Sequence, residues 1–300
     1  MPDTSLTVAA ALSQAQARLA RAGVPDPALD AERLLRHALG WDRATLATSA
    51  HAAIPCQARG RFETLVTERA KRRPLQHLLG TQAFWRHEFR VTPEVLIPRP
   101  ETELLVEAAL ERLRPLERPV VVDVGTGSGC IALSLAAELP AAEIHATDVS
   151  AAALRVARDN AARLGLSARV QFHEGDLLAP VAGRQLDLIA SNPPYVDPAL
   201  APTLAPEVRD HEPALALFPP GGDAYAVYRR LIPAARGLLA PGGYLLLEVG
   251  QGMGDEVAWL AQRAGFTLEG ILPDLQSIPR AVIARTPLAG ERSHNSAASR

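Results

Sequence analysis

From Val120 onward the chain alternates short apolar runs with stretches of helical periodicity: Val120–Val122, a helix from Ser128, Glu143–Thr147, a helix from Ser150, Val170–Phe172 and Leu186–Ala190. Apolar strands separated by helices belong to parallel sheets covered on both faces, because each crossover must carry the chain back over a face of the sheet. The pattern predicts an α/β fold with a mainly parallel, doubly wound sheet. It continues through a helix near Ala224–Leu239, a Pro241-Gly242-Gly243 turn, the strand Tyr244–Val249 and last strands at Thr267–Leu272 and Ala281–Arg285.

The first eighty or so residues read differently. Leucines and alanines recur at helical spacing from Ser5 to Ala22 and from Pro27 to Leu39, with Gly23 and Gly40 placed as stops. A third helix is expected from about Pro55 to Lys71, where Arg72, Arg73 and Pro74 close it. Residues 1–81 are therefore expected to form a small helical domain. Phe84 to Ile97 suggests two short strands around Thr92-Pro93, so residues 82–98 are read as a β-hairpin linker. Pro100, followed by Glu101 and Glu103, suits the start of a helix to about Leu113. Residues 99–287 then form the sheet domain, and 288–300 a disordered tail.

Composition narrows the function. With 300 residues, 48% hydrophobic, the chain can bury a substantial core. A net charge of -2 gives the whole molecule no strong pull toward nucleic acid or anionic membrane. The two cysteines, Cys56 and Cys130, make no disulfide framework, and the eight histidines form no compact ligand pair, so no metal is expected. Asp3, Gln14, Gln16, Arg18 and Arg21 interrupt any signal-peptide run, which points to a soluble, cytoplasmic protein.

The segment Val121 to Cys130 places Gly125-Thr126-Gly127-Ser128-Gly129 between a strand and a helix, where a Cβ would block both a tight turn and close approach of backbone to a ligand. Cys130 stands where a dinucleotide fingerprint wants Gly or Ala, and the Gly-Lys-Ser/Thr ending of a phosphate-binding loop is absent. Alone, the loop fits an ordinary strand-to-helix turn as well as a nucleotide site. Asp148 changes this, because it ends the next strand where a carboxylate can accept from both hydroxyls of a ribose. Asp176, after the third strand, can reach an adenine amino group. Together they describe a pocket for an adenosine-type ligand without phosphates, and S-adenosylmethionine fits it better than NAD.

The strand Asp187–Ala190 runs into Ser191-Asn192-Pro193-Pro194-Tyr195 at the same sheet edge. These residues could merely stop a strand. Behind this glycine loop and Asp148, they suit a planar NH₂ group. The Asn192 side-chain oxygen and the Pro193 carbonyl are two acceptors, one for each N–H. Pro193 and Pro194 bring no competing N–H, and Tyr195 offers a flat face. Resonance makes an amide nitrogen a poor nucleophile, so such a site acts by holding and polarising it in line with an activated methyl, without a strong base.

With these motifs, and with Ile97-Pro98-Arg99-Pro100-Glu101-Thr102-Glu103 and Glu212-Pro213-Ala214-Leu215-Ala216-Leu217, the chain resembles the release factor glutamine methyltransferases of the HemK/PrmC family over nearly its whole length. The resemblance implies a Rossmann-like class I methyltransferase with a seven-stranded sheet. Its implied cofactor is S-adenosylmethionine, leaving as S-adenosylhomocysteine, and its implied target is the glutamine of the Gly-Gly-Gln tip of peptide chain release factors. Carried over, Gly125, Thr126, Gly127, Ser128, Gly129, Asp148 and Asn192 would contact the cofactor, Leu177 would lie near the adenine, and Asn192 to Tyr195 would hold the glutamine. Many members have an aromatic residue where Leu177 stands, so weaker stacking is expected. The helical domain would recognise the protein partner, and the enzyme is read as a monomer.

Three rivals follow from the same residues. A related family methylates a ribosomal protein glutamine but usually reads Pro-Arg-Ser-Pro where this chain has Pro98-Arg99-Pro100-Glu101. An adenine-amino methyltransferase would present the same NH₂ to Asn192 but needs a basic surface, and the one dense cluster, Arg69, Lys71, Arg72 and Arg73, suits a helix end. A binding module without turnover would not need Asn192 and the loop glycines together.

Overall fold

A computed structural model describes residues 6–288 and Gly290. The expected disordered tail lies almost wholly outside the described residues. So does Ser5, the expected start of the first helix. The chain divides into two compact units, one of residues 1–81 with Leu204–His211, the other of Gln82–Thr203 with the chain from Glu212 onward.

The helical unit contains α1 (Val8–Arg21), α2 (Pro27–Leu39), α3 (Arg43–Thr48), α4 (Cys56–Ala70) and α5 (Leu75–Leu79). Thr7 caps α1 by accepting from the Ala10 N–H, and Gly40 ends α2 in the left-handed conformation that a glycine tolerates best. Pro55 stands as the cap of α4 rather than in its first turn. The short helices α3 and α5 escape sequence periodicity because 6 and 5 residues do not complete two turns. Val8, Leu19, Leu34, Leu35, Phe62 and Val66 form the apolar centre of the unit.

The helical unit also claims a segment that the sequence assigned to the sheet domain, containing α9 (Pro206–Arg209). Glu207 accepts from the Arg72 Nε and Nη2, both at 2.7 Å, and from the Arg69 Nη1 at 2.8 Å. Arg69, 5% exposed, donates its Nε to Asp30 at 2.6 Å. Burial alone would raise the Glu207 carboxyl, but the hydrogen bonds from Arg72 and Arg69 outweigh it and hold the group at about 2. The basic cluster at the end of α4 is thus partly spent inside the unit.

In the second unit, β1 (Thr81–Phe84) and β2 (His87–Arg90) form the hairpin. Its turn is Trp85-Arg86, not Thr92-Pro93, and Val95–Ile97 is not a strand. Pro93 and Pro98 flank that stretch and lack the N–H a ladder needs, while the Ile97 N–H donates to Glu212 instead. Glu103 and Glu138 accept from the backbone N–H and the Nε1 of Trp85, which fixes the turn.

The sheet follows: β3 (Val120–Val124), β4 (Glu143–Asp148), β5 (Val170–Glu174), β6 (Leu186–Ser191), β7 (Leu239–Glu248), β8 (Thr267–Pro273) and β9 (Pro279–Arg285). Its seven strands lie in the order β5-β4-β3-β6-β7-β9-β8, parallel except for β9, which runs antiparallel to both its neighbours. β7 includes Pro241-Gly242-Gly243, expected as a turn, with a register shift against β6. The helices α6 (Glu103–Leu113), α7 (Cys130–Glu138), α8 (Ala151–Arg163), α10 (Ala214–Leu217), α11 (Ala226–Leu238) and α12 (Gly254–Arg263) complete the unit. α7 starts two residues after the expected Ser128, behind Gly129. The sequence reading missed α12, which packs on β8 and β9. Val121, Leu188 and Leu246 face a core with α6 and α7, whereas Val122, Ile189 and Leu247 face one with α11 and α12. Both faces of these strands are buried, which explains their unbroken apolar runs.

Replacing Glu207 by Gln should destabilise the helical unit by about 3 kcal/mol, because it takes the charged partner from Arg72 and leaves Arg69 with Asp30 alone. Faster hydrogen exchange at the amides of α2 and α4 reads the effect. A carboxyl held at about 2 against an ordinary 4.5 contributes stability that is complete above the ordinary value and is lost as pH falls toward 2, so the wild-type unit should loosen over that acid window and E207Q should not.

Candidate active site

Strand order reverses at β3: the chain moves outward to β4 and β5, then returns to β6 on the other side. The crevice at the carboxyl ends of strands beside such a reversal is where open α/β sheets bind ligands. Here the ends of β3, β4, β5 and β6 carry the glycine loop, Asp148, Asp176 and Asn192 respectively.

The loop is pinned to the neighbouring strand by Gly125 N–H and Thr126 N–H, which donate to the Thr147 carbonyl at 2.8 and 3.0 Å. Gly125, Gly127 and Gly129 all adopt positive φ, at 73°, 54° and 83°. A Cβ on Gly129 would stand 3.0 Å from Leu133 Cδ1 and 3.2 Å from Ala157 Cβ, whereas one on Gly125 or Gly127 would meet nothing within 4 Å. Gly129 is thus needed for packing, while Gly125 and Gly127 leave a cradle open to the cleft. Beneath them Asp123 is buried and accepts from Thr126 Oγ1 at 2.6 Å and from Ala132 N–H at 3.2 Å. Burial pushes its carboxyl up to about 7. Asn160 of α8, fully buried, donates to the carbonyls of Ser128 and Arg90, and so ties the loop to the hairpin. Sequence reading passed over Asn160 because a single polar residue in an amphipathic helix carries no signal. Ser128 Oγ is buried without a hydrogen-bond partner among the described residues. Cys130 is buried too, which pushes its thiol up to about 12 and removes it as a nucleophile.

Asp148 accepts from Gly127 N–H at 2.9 Å and from Ser150 N–H at 2.8 Å, one on each oxygen. Burial raises its carboxyl, opposed by those N–H groups. Each oxygen keeps a lone pair for a further donor. Asp176 is exposed and paired with Arg230. Beside it Leu177 has a φ of 48°, unusual for a residue with a Cβ, and its carbonyl accepts from Thr147 Oγ1 at 2.8 Å.

Asn192 follows β6 directly. Its Nδ2 donates to Thr102 Oγ1 at 3.2 Å, and Thr102 donates to Glu248 at 2.6 Å. The Asn192 oxygen has no partner among the described residues. Glu212, expected from its motif alone, is buried and holds Arg99 at 2.5 Å, at the wall of the cleft.

A cavity of about 200 Å³ joins these groups. Gly125, Thr126, Gly127, Ser128, Asp148, Asp176, Leu177, Asn192, Pro193 and Pro194 line it, together with Arg99, Thr102 and Arg230. Two expected residues differ. Gly129 lies behind the wall, for the packing reason above. Tyr195 is not part of the wall either: its ring packs against Gly250 and the α11/α12 core, and its hydroxyl faces Glu248 at 3.5 Å.

A doubly wound seven-stranded sheet with a glycine loop at its reversal, an acid at the next strand end and an antiparallel β9 inserted between β7 and β8 has the architecture of a class I methyltransferase. Family models for the PrmC N-terminal domain and the methyltransferase small domain match residues 10–80 and 100–207. The fold is shared with a methyltransferase from Pyrococcus furiosus (18% identity, TM-score 0.50, 69% of this chain and 92% of that one). It is also shared with the hMettl16 catalytic domain, solved with the MAT2A 3'UTR hairpin 6 (18%, TM-score 0.54, 68% and 77%). Proteins named release factor glutamine methyltransferase are 48% identical in Moorella thermoacetica (93% of this chain, 98% of that protein) and 47% identical in Cereibacter sphaeroides (95% and 100%). A third, from Deinococcus radiodurans, is 46% identical over 91% of this chain and 96% of its own length. The chain belongs to the release factor glutamine methyltransferase family, and it is an S-adenosylmethionine-dependent methyltransferase.

The two kinds of loop glycine should separate on substitution. Gly127→Ala meets only backbone strain, about 1–2 kcal/mol. Gly129→Ala adds the clash with Leu133 and Ala157 and should lower the unfolding temperature more. Thermal melts of both variants check the order.

Proposed function

We propose that this protein transfers the methyl group of S-adenosylmethionine to the side-chain amide nitrogen, N5, of the glutamine in the Gly-Gly-Gln segment of peptide chain release factors. The carrying observation is Asn192, at the rim of the glycine-loop cavity, with its NH₂ already engaged by Thr102 and its oxygen left over for a donor. An acceptor there suits a substrate that brings two N–H groups.

The cavity fits the cofactor. Gly125 and Gly127 leave room for close approach to backbone, Asp148 keeps acceptor capacity for ribose hydroxyls, and Asp176 stands at the far strand end for an adenine amino group. Leu177 offers an aliphatic contact beside the adenine. When bound, S-adenosylmethionine supplies a methyl carbon activated by its sulfonium and departs as S-adenosylhomocysteine. Asn192 Oδ1 and the Pro193 carbonyl would each accept one amide N–H, holding the nitrogen toward that carbon. They would also stabilise the positive charge that grows on it. Pro194 fixes the backbone beyond them, and Tyr195 braces the motif from behind. Once methylated, the nitrogen is acidic and gives its proton to solvent.

Residues 1–81 would serve as the substrate-recognition domain, 82–98 as the hairpin linker and 99–287 as the catalytic domain. The protein partner would be a release factor, met in the cytoplasm by a monomer, with no direct nucleic-acid contact. The name shared by relatives that match over nearly their full length supports a release factor glutamine over adenine and over a ribosomal protein.

The test is incubation with labelled S-adenosylmethionine and, in parallel, release factor, ribosomal protein and DNA, with the label located by mass. Label on the release factor glutamine is expected; label on adenine alone overturns the reading. Asn192→Ala should lower turnover by about a hundredfold while leaving cofactor affinity nearly intact, since it removes one preorganised acceptor. Asp148→Asn should instead weaken cofactor binding by about tenfold in calorimetric titration.

A further inference from the structure

Glu248 ends β7, the strand beside β6, and is only 3% exposed. A buried carboxylate is costly unless its oxygens are hydrogen-bonded. One oxygen accepts from Thr102 Oγ1 at 2.6 Å, and the other faces the Tyr195 hydroxyl at 3.5 Å. Thr102, itself 3% exposed, sits just ahead of α6. The groups facing Glu248 come from every side: Arg280 of β9, Glu101 beside Thr102, Tyr195 beyond β6, Tyr228 of α11 and Cys130 of α7.

A hydroxyl carries one hydrogen. Because Thr102 spends its hydrogen on the carboxylate, its oxygen can only accept from the next neighbour. That neighbour is the Asn192 side-chain amide, 3.2 Å away. An asparagine amide has a donor end and an acceptor end of nearly the same shape, and the hydrogen-bond network alone decides which end points where. With Thr102 as an obligate acceptor, the NH₂ end is held inward and the oxygen faces the cleft. The opposite orientation would set two acceptor oxygens against each other at Thr102, with no hydrogen between them, and present N–H to an amide N–H in the cleft.

We infer that Glu248, acting through the Thr102 hydroxyl, is a positioning residue that fixes which end of the Asn192 amide meets the substrate. This rests on the proposed glutamine-methylation reading and supplies what that reading needs, an acceptor whose polarity does not fluctuate. Neither Glu248 nor Thr102 needs to touch the reacting atoms. Burial lifts the Glu248 carboxyl to about 7, opposed by Thr102 and Arg280. Above that value the ionised group can only accept. Below it, the protonated group can donate to Thr102, which frees the threonine hydrogen to turn toward Asn192 and lets the amide invert.

The test uses full-length protein with release factor and S-adenosylmethionine, comparing Thr102→Val, Thr102→Ser and Glu248→Gln with wild type. T102V and E248Q should lose about tenfold or more in kcat while their cofactor Kd stays within about twofold, and T102S should recover to within about threefold of wild type. Wild type and T102S should lose kcat as pH falls through about 7, and E248Q should lack that limb. T102V at the wild-type rate, T102S as slow as T102V, or cofactor affinity falling together with kcat overturns the inference. Should E248Q not fold, T102V against T102S decides. Wild-type protein inactive on release factor refutes the glutamine reading and this inference with it, whereas an active wild type with an unimpaired T102V refutes the inference alone.

Discussion

The cleft exists because β3 is paired on both sides by strands running its own way. Val124, its last residue, is in register with Thr147 on one side and Ser191 on the other. Those two pairings set Asp148 and Asn192 one residue beyond the ladder, level with the turn that begins at Gly125. Ser191 reinforces the alignment by donating its hydroxyl to the Val124 carbonyl at 2.8 Å from a fully buried position. A slip of one residue in β6 would exchange its two faces, burying Asp187 and turning Leu188 and Ala190 into the wrong core. Hydrophobic burial therefore fixes the relative height of the glycine loop and the Asn192 segment, and no residue of either has to enforce it.

The same economy recurs among the buried polar groups. Asp123 under the glycine loop and Glu248 behind Asn192 are both carboxylates raised to about 7 by burial, and each takes a threonine hydroxyl at 2.6 Å, from Thr126 and Thr102. In each case the threonine stands between the carboxylate and a segment facing the cavity. A single-hydrogen donor between an acceptor and a flexible element gives that element a definite polarity, at the cost of keeping a carboxylate out of water.

What could be read from the sequence was what depends on neighbours in the chain. The alternation of strands and helices, the glycine loop, the acid ending β4 and Asn192-Pro193-Pro194 are all local patterns, and the structure gathers most of them around one cavity. What could not be read depends on distant partners. Thr102 and Glu248 meet across 146 positions, and Glu248 looks in sequence like the polar end of the strand Leu245-Leu246-Leu247. Glu207 joins Arg72 across 135 positions, so its segment passes to the helical unit without any change of composition to mark it. The hairpin was misplaced because Trp85, with a φ of 54°, turns the chain where propensity favours a strand. Tyr195 was assigned by its flat ring, but burial and Glu248 decide where that ring goes.

These placements also bear on how an amide can be made to react. Tyr195 cannot serve as the base that would activate it, because burial and the neighbouring Glu248 raise its phenol above the ordinary value and keep it protonated. Glu248 is sealed behind Thr102, and Glu212 is committed to Arg99 and the Ile97 N–H. On the proposed reading, the groups that meet the substrate at the end of β6 are the acceptors Asn192 Oδ1 and the Pro193 carbonyl. An acceptor does not take the proton before attack. It lowers the energy of the state in which the nitrogen has begun to share its lone pair with carbon and its N–H bonds have become more polar. On the proposed reading, rate enhancement at this site would come from holding two N–H groups against fixed oxygens in a cleft of low dielectric, which makes the rigidity of Asn192 worth more than any shifted base.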